Sequence, residues 1–221
     1  MGGAVKQFIL GWAMLMFISS LPADATNNHP IRLEPDFAIT TGTVLQSFGD
    51  TLPPIGYVTF CRDHEAECRP ATKLTDRVQL SAQKRIELEQ VNKSVNDAVS
   101  PVTDLDLYGQ VEMWAYPSAQ KGDCEDYVLQ KRRLLVERGW PESTLLITVV
   151  RDENNEGHAV LTVRTDRGDL ILDNKRREIL AWNATPYTFI KQQSERNPLV
   201  WISLLAPDQA TPAAVATSRS N

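Results

Sequence analysis

The sequence predicts an α+β domain in which helices come first and an antiparallel sheet follows. Three observations carry that expectation. Between Thr75 and Val99, the residues Leu88, Val91, Val95 and Val99 recur at intervals of three and four, the spacing that places apolar side chains on one helical face. From Glu125 to Arg138 the residues again favour helix, with Tyr127, Val128, Leu134 and Leu135 as its apolar members. Beyond Gly139-Trp140-Pro141, segments rich in Val, Ile, Leu and Thr run over 145–151, 158–165, 170–173 and 199–204, and turn residues separate the first three, as strands require.

Taken in order, the chain opens with Lys6, an apolar run from Phe8 to Leu21 and the small-x-small site Ala23-Asp24-Ala25. That is the pattern of a secretory signal peptide over residues 1–25. The apolar run is short beside the ~20 residues a bilayer span needs, and an uncleaved anchor is the alternative. A single domain is expected over 26–206, with a disordered tail over 207–221, where Ala, Thr, Ser and Pro replace large apolar residues. The formal charge of −5, with no Lys/Arg run and no basic-aromatic interleaving, argues against a nucleic-acid partner. No second hydrophobic segment suggests direct membrane insertion after signal cleavage.

Residues 26–60 are punctuated by Pro and Gly, with short apolar pieces at 37–45 and 55–60, and read as an extended lead-in packed on the core. Only three cysteines occur. Export implies an oxidising compartment, in which Cys61 and Cys68 can pair across a short loop and leave Cys124 as the odd thiol. Two free buried thiols at 61 and 68 are equally open. A zinc site from Cys61, His64 and Cys68 lacks a fourth ligand.

The helix between Thr75 and Val99 has Thr75 or Ser81 as its cap and ends before Pro101. It carries Asn92 and Asn96 one turn apart, either bonded to a neighbouring backbone or solvated. The stretch Thr103-Asp104-Leu105-Asp106-Leu107-Tyr108-Gly109 and the following Trp114-Ala115-Tyr116-Pro117 read as a loop with aromatic anchors. Tyr108, Trp114 and Tyr116 belong to the core or to a groove wall, and Trp114 is the candidate for lining a substrate groove.

Lys121-Gly122-Asp123-Cys124-Glu125-Asp126-Tyr127 places one cysteine among three carboxylates where a helix begins. A thiol is a nucleophile as its thiolate, and a helix N-terminus favours that form through unpaired N–H groups and the dipole. A lone cysteine on a helix is more often inert. Asp123, Glu125 and Asp126 can hold a calcium ion there, although acidic residues favour a first helical turn in any case. Such carboxylates raise the thiol's pKa, so an active Cys124 needs a bound cation or a close imidazolium.

Downstream, 152–157 and 166–169 close two hairpins, so the sheet is antiparallel. His158 opens one strand and Asp173 closes the next, which brings imidazole and carboxylate to the same end. Direct opposition needs a hairpin centred between Thr165 and Asp166. A tight Arg167-Gly168 turn would set Asp173 opposite Thr162, about 13 Å from His158. The expectation is therefore a wider loop or bulge over 164–168. His29, in the lead-in, and His64, among charges, are weaker candidates for a base.

Gly122-Asp123-Cys124-Glu125-Asp126-Tyr127, Gly157-His158-Ala159-Val160-Leu161-Thr162-Val163 and Leu170-Ile171-Leu172-Asp173-Asn174 together resemble the bacterial transglutaminase-like cysteine proteinases of the LapG type. The resemblance runs from about Phe60 to Leu204. It implies a papain-like, transglutaminase-type core, with a cysteine-bearing helix packed on an antiparallel sheet. By position Cys124 matches the nucleophile, His158 the general base and Asp173 the residue that orients it. Asp123 and Glu125 match calcium-linked carboxylates, with Asp126 a further ligand. The family implies a periplasmic, calcium-dependent protease that cuts the N-terminal region of a large surface adhesin and disperses biofilm. Its implied partner is the periplasmic domain of an inner-membrane cyclic di-GMP receptor. A transglutaminase or amidase would use the same three residues, and a noncatalytic calcium-dependent binding module would leave the thiol idle.

Overall fold

The computed structural model describes residues 1–3 and 44–209. The expected signal peptide after residue 3, the start of the expected lead-in with His29, and the expected tail beyond 209 lie outside the described residues. Among the described residues no helix is long and apolar enough to cross a membrane.

The chain runs through β1 (Asp50–Thr51), α1 (Ile55–Asp63), a 3-10 turn (Glu65–Cys68), α2 (Ala82–Ala98), β2 (Ser100–Pro101), α3 (Asp104–Tyr108), β3 (Lys121–Gly122) and α4 (Cys124–Glu137). The sheet strands follow as β4 (Leu145–Arg151), β5 (Gly157–Thr165), β6 (Gly168–Leu172), β7 (Leu180–Ala181), β8 (Thr188–Gln193) and β9 (Trp201–Ser203). They form one seven-stranded sheet of order β1-β9-β8-β4-β5-β6-β7, with every pairing antiparallel. The α+β class is as expected.

Helix α2 starts where Ser81 accepts a hydrogen bond from the Lys84 N–H, the N-cap geometry that satisfies a free first-turn donor. Its buried stripe of Leu88, Val91 and Val95 packs with Val128 and Leu135 of α4. The helices cover Leu145, Ile147, Leu161, Val163, Leu170 and Leu172 of the sheet in one core cluster. Val150, Val160, Ile171, Tyr187 and Phe189 make a second, smaller cluster, the alternation a pleated strand produces. Truncating a fully buried residue such as Leu161 to Ala costs about 2–5 kcal/mol.

In the N-terminal half one expectation is corrected and one open alternative is decided. Residues 55–60 belong to helix α1 rather than an extended segment, with Pro54 at the N-cap, where a missing N–H costs nothing. Cys61 and Cys68 form a disulfide, with Cα atoms 5.7 Å apart, which removes both sulfurs from any zinc site.

Trp114 is also resolved. It is 6% exposed, packs edge-on against Tyr57 at 5.5 Å and against Trp201, and sits so close to Gly56 that an added Cβ there would meet its ring at 2.3 Å. The structure places it in the core rather than on a groove wall, because α1 closes over the indole.

Candidate active site

The first turn of α4 positions the thiol. Asp123 is the N-cap in extended backbone and Cys124 is the first helical residue. Gly122 is required just before it, since a Cβ there would fall 2.5 Å from Asp126 Oδ2. Cys124 is partly exposed and is the free cysteine of the three. Its sulfur donates to Glu125 Oε2 at 3.0 Å. Burial, then the charges of Glu125 and Asp123, push the thiol well above its ordinary range, while the Ala159 N–H acts in the opposite direction.

The hairpin β5–β6 sets the base. Its register pairs Leu161 with Leu172 and Thr165 with Gly168, so the turn is a tight two-residue one at Asp166-Arg167, not a wide loop or bulge. Continued one step, that register sets Asp173 opposite Val160, two residues from His158. Residues offset by two share a face about 7–8 Å apart, within reach of long side chains. His158 Nε2 and Asp173 Oδ1 meet at 2.9 Å across that diagonal. The expected wide loop was therefore unnecessary: direct opposition is not the only geometry that closes the pair.

The pair is well enclosed, with His158 3% and Asp173 2% exposed. The Lys175 N–H also donates to Asp173 Oδ1, and the Tyr187 hydroxyl donates to Oδ2. Burial pushes the Asp173 carboxyl up, but the hydrogen bond and charge of His158 together with these donors hold it below the usual range. The Tyr187 ring stands edge-on to the imidazole at 5.6 Å. With Nε2 committed to Asp173, Nδ1 is the ring nitrogen left to serve the thiol.

A fully buried amine lies within electrostatic reach of this pair. Lys131, two turns along α4, has no hydrogen-bond partner for Nζ; burial lowers its pKa to about 7, and the Asp173 charge opposes that shift.

The carboxylates around Cys124 divide differently from the sequence reading. Asp104, Asp123 and Glu125 bring ligand oxygens within 4.8 Å of one another. Asp126 does not join them: its Oδ1 accepts the Ala115 N–H at 2.9 Å and it packs beneath Gly122. Through Oδ1 it holds the loop at Ala115, while its Oδ2 is buried without a hydrogen-bond partner. Asp104, unassigned from the sequence, arrives because β2 and β3 pair in parallel, Ser100 with Lys121 and Pro101 with Gly122. The Val102 N–H then bonds the Gly122 carbonyl, and Asp104 enters α3 beside Asp123.

The electrostatics call for a cation. Burial, then the Asp104 charge, raises Asp123 to about 6; burial, with Asp123 and Asp104 nearby, raises Asp126 to about 8. Glu125 and Asp104 are also pushed up by burial first. Asp104 Oδ1, Asp123 Oδ1 and Asp126 Oδ2 are buried without a hydrogen-bond partner. Among the described residues, no Lys, Arg or His forms an ion pair with any of the four. Hard oxygen ligands with orphaned lone pairs fit a calcium ion.

Residues 47–209 match the family model described as the bacterial transglutaminase-like cysteine proteinase BTLCP. Among solved structures, the chain is similar to Legionella pneumophila LapG in its calcium-bound form, at 26% identity and TM-score 0.47 over 53% of this chain and 68% of that one. It is also similar to Legionella pneumophila LapG at 29% identity and TM-score 0.46, over 53% and 66%. The EGTA-treated form of that protein matches at 28% identity and TM-score 0.46, over 54% and 67%. No curated protein sequence matches.

Proposed function

We propose that this chain, which belongs to the bacterial transglutaminase-like cysteine proteinases and so acts on peptide bonds, is a calcium-dependent endopeptidase of the periplasm. Its substrate in this reading is the N-terminal region of a large surface adhesin, whose release disperses biofilm. The observation that carries the catalytic assignment is the buried His158–Asp173 pair at 2.9 Å, at the start of the strand whose next N–H, from Ala159, favours the Cys124 thiolate. Adhesin, compartment and a cyclic di-GMP receptor as partner rest on the LapG-type resemblance of the Cys, His and Asp blocks.

In this reading His158 Nδ1 takes the Cys124 proton, and the thiolate attacks the scissile carbonyl carbon. The imidazolium is stabilised through Nε2 by Asp173, itself held ionised by three donors. The N–H of Cys124, at a helix start, is a donor for the developing oxyanion. Collapse expels the amine, which receives its proton from His158 and leaves a thioester on Cys124. The neutral imidazole then draws a proton from water, hydroxide adds to the thioester, and the acid departs.

Asp104, Asp123 and Glu125 are the residues that would hold calcium. Bound there, it would neutralise carboxylate charge beside the thiol and so favour the thiolate.

The test is mass spectrometry of an adhesin N-terminal fragment incubated with wild type, with Cys124→Ala, and with wild type plus chelator. We expect one defined cut with wild type and calcium, reduced at least about 10³-fold in Cys124→Ala. An added amine appearing in the product would indicate acyl transfer instead. Substrate retained without any cut would leave a calcium-dependent binding module.

A further inference from the structure

The chain leaving Asp173 is gripped from two sides. On one side, Asn96 Nδ2 donates to the carbonyls of Asp173 at 2.9 Å and Arg176 at 3.2 Å, and Asn92 Nδ2 donates to those of Arg176 and Arg177. On the other side stands Asp152, just past β4. Its Oδ1 accepts the N–H groups of Asn154 and Glu156 at 2.9 Å each, which folds the β4–β5 turn onto its side chain. Its Oδ2 accepts Lys175 Nζ at 2.6 Å.

Lys175 therefore has two ends with two tasks. Its N–H bonds Asp173 Oδ1 at 2.9 Å while its ammonium bonds Asp152. The turn that Asp152 organises leads directly into Gly157 and His158. One carboxylate thus fixes the start of the histidine's strand with one oxygen and the aspartate's loop with the other.

We propose that the Asp152–Lys175 ion pair is a positioning device for the His158–Asp173 pair, setting the turnover rate without touching substrate. The inference rests on the catalytic reading above. It follows from the diagonal geometry: with Asp173 beyond the end of β6, no ladder hydrogen bond fixes its distance from His158, and the clip supplies that constraint. A displacement of about 1 Å at a reacting group can cost about 100-fold in rate.

Two substitutions isolate the pair. Asp152→Asn keeps an oxygen for the two turn N–H groups and loses the charge. Lys175→Met keeps the N–H to Asp173 and removes the ammonium from a side chain that is 41% exposed, and a thermal melt of each variant checks that it folds. We expect kcat to fall about 10- to 100-fold with KM within about twofold. The double variant should be no worse than either single one, and Lys175→Arg should restore most of the rate.

A second readout needs no substrate: the midpoint of the His158 titration by NMR. The charged and titrating groups around that ring are Asp173, Tyr187 and Cys124, with Lys175 and Lys131 behind Asp173 and Arg176 over the Tyr187 ring. Removing a nearby cation alone raises a histidine's midpoint. Loss of positioning weakens its bond to Asp173 and lowers it. A lower midpoint in Lys175→Met, restored in Lys175→Arg, supports the proposal. A higher midpoint, or kcat within twofold of wild type in both single variants, overturns it. If wild type itself fails to cut, the catalytic reading fails, and the midpoint still decides whether the clip positions the ring.

Discussion

The two sides of Cys124 are finished to different degrees. On the base side, Asp173 has both oxygens occupied, by His158 and Lys175 on one and Tyr187 on the other, and Lys131 lies within electrostatic reach. On the acid side, Asp104, Asp123 and Glu125 converge with orphaned oxygens on two of them and no basic partner among the described residues. The first is complete as protein. The second is arranged for something the chain does not contain, and the thiol between them is held up by burial and by that side's charge. Control by a cation can therefore act on the nucleophile while leaving the base already built.

The largest effect that would break this contrast is on the base side. Asp173→Asn should lower kcat about 10²- to 10⁴-fold, because the imidazolium loses its ionised partner, and added calcium should not restore it. Partial rescue by calcium, measured in the same cleavage assay, would show that the two sides are not separable.

Next in size is the acid side. At a concentration 100 times its Kd, calcium should stabilise the fold by about 2.7 kcal/mol, or several degrees of Tm at roughly 2–4 °C per kcal/mol. Asp104→Ala should remove most of that gain, and Asp126→Asn should leave the calcium Kd within about threefold while lowering the Tm itself. Differential scanning calorimetry with and without chelator reads both. Equal loss of calcium affinity in the two variants would return Asp126 to the ligand set.

The last effect is one of pH and concerns the chelated protein. Asp123 and Asp126 have folded pKa values of about 6 and about 8, above the ~3.9 of an unfolded aspartate. The folded state then binds more protons between them, so stability rises as pH falls from about 8 towards about 4. Asp173 is lowered, and Asp152, held by Lys175 and the turn N–H groups, lies at about 2. Their contribution is complete above about pH 4 and is lost as pH falls towards 2. Urea unfolding in EDTA should therefore show greatest stability near pH 4, with the calcium increment shrinking towards that pH. A steady decline from pH 8 to 4 in EDTA would contradict the acid-side assignment.

Much of this was legible in the chain. The Cys124 helix and the limits of β4 follow from periodicity and turn residues, whereas the meeting of His158 with Asp173 was expected through a wider loop and comes about diagonally across a tight turn. Asp104 did not, because a parallel pair of two-residue strands leaves no pattern in sequence. Strand β8 and Tyr187 did not either: Gln192 and Gln193 break any apolar strand pattern, yet they are buried and bond Thr148 Oγ1 and the Ile147 N–H. The register argument was sound in its parity and too strict in requiring direct opposition. Asn92 and Asn96, left open between two roles, bond the loop that carries Asp173.

The bond between Cys61 and Cys68 also has an analytical consequence. With three cysteines in the chain and two of them tied together, each thiol equivalent released by a non-reduced sample belongs to Cys124. Stoichiometric thiol titration therefore counts competent molecules, and a reporter attached at that sulfur needs no cysteine-free background.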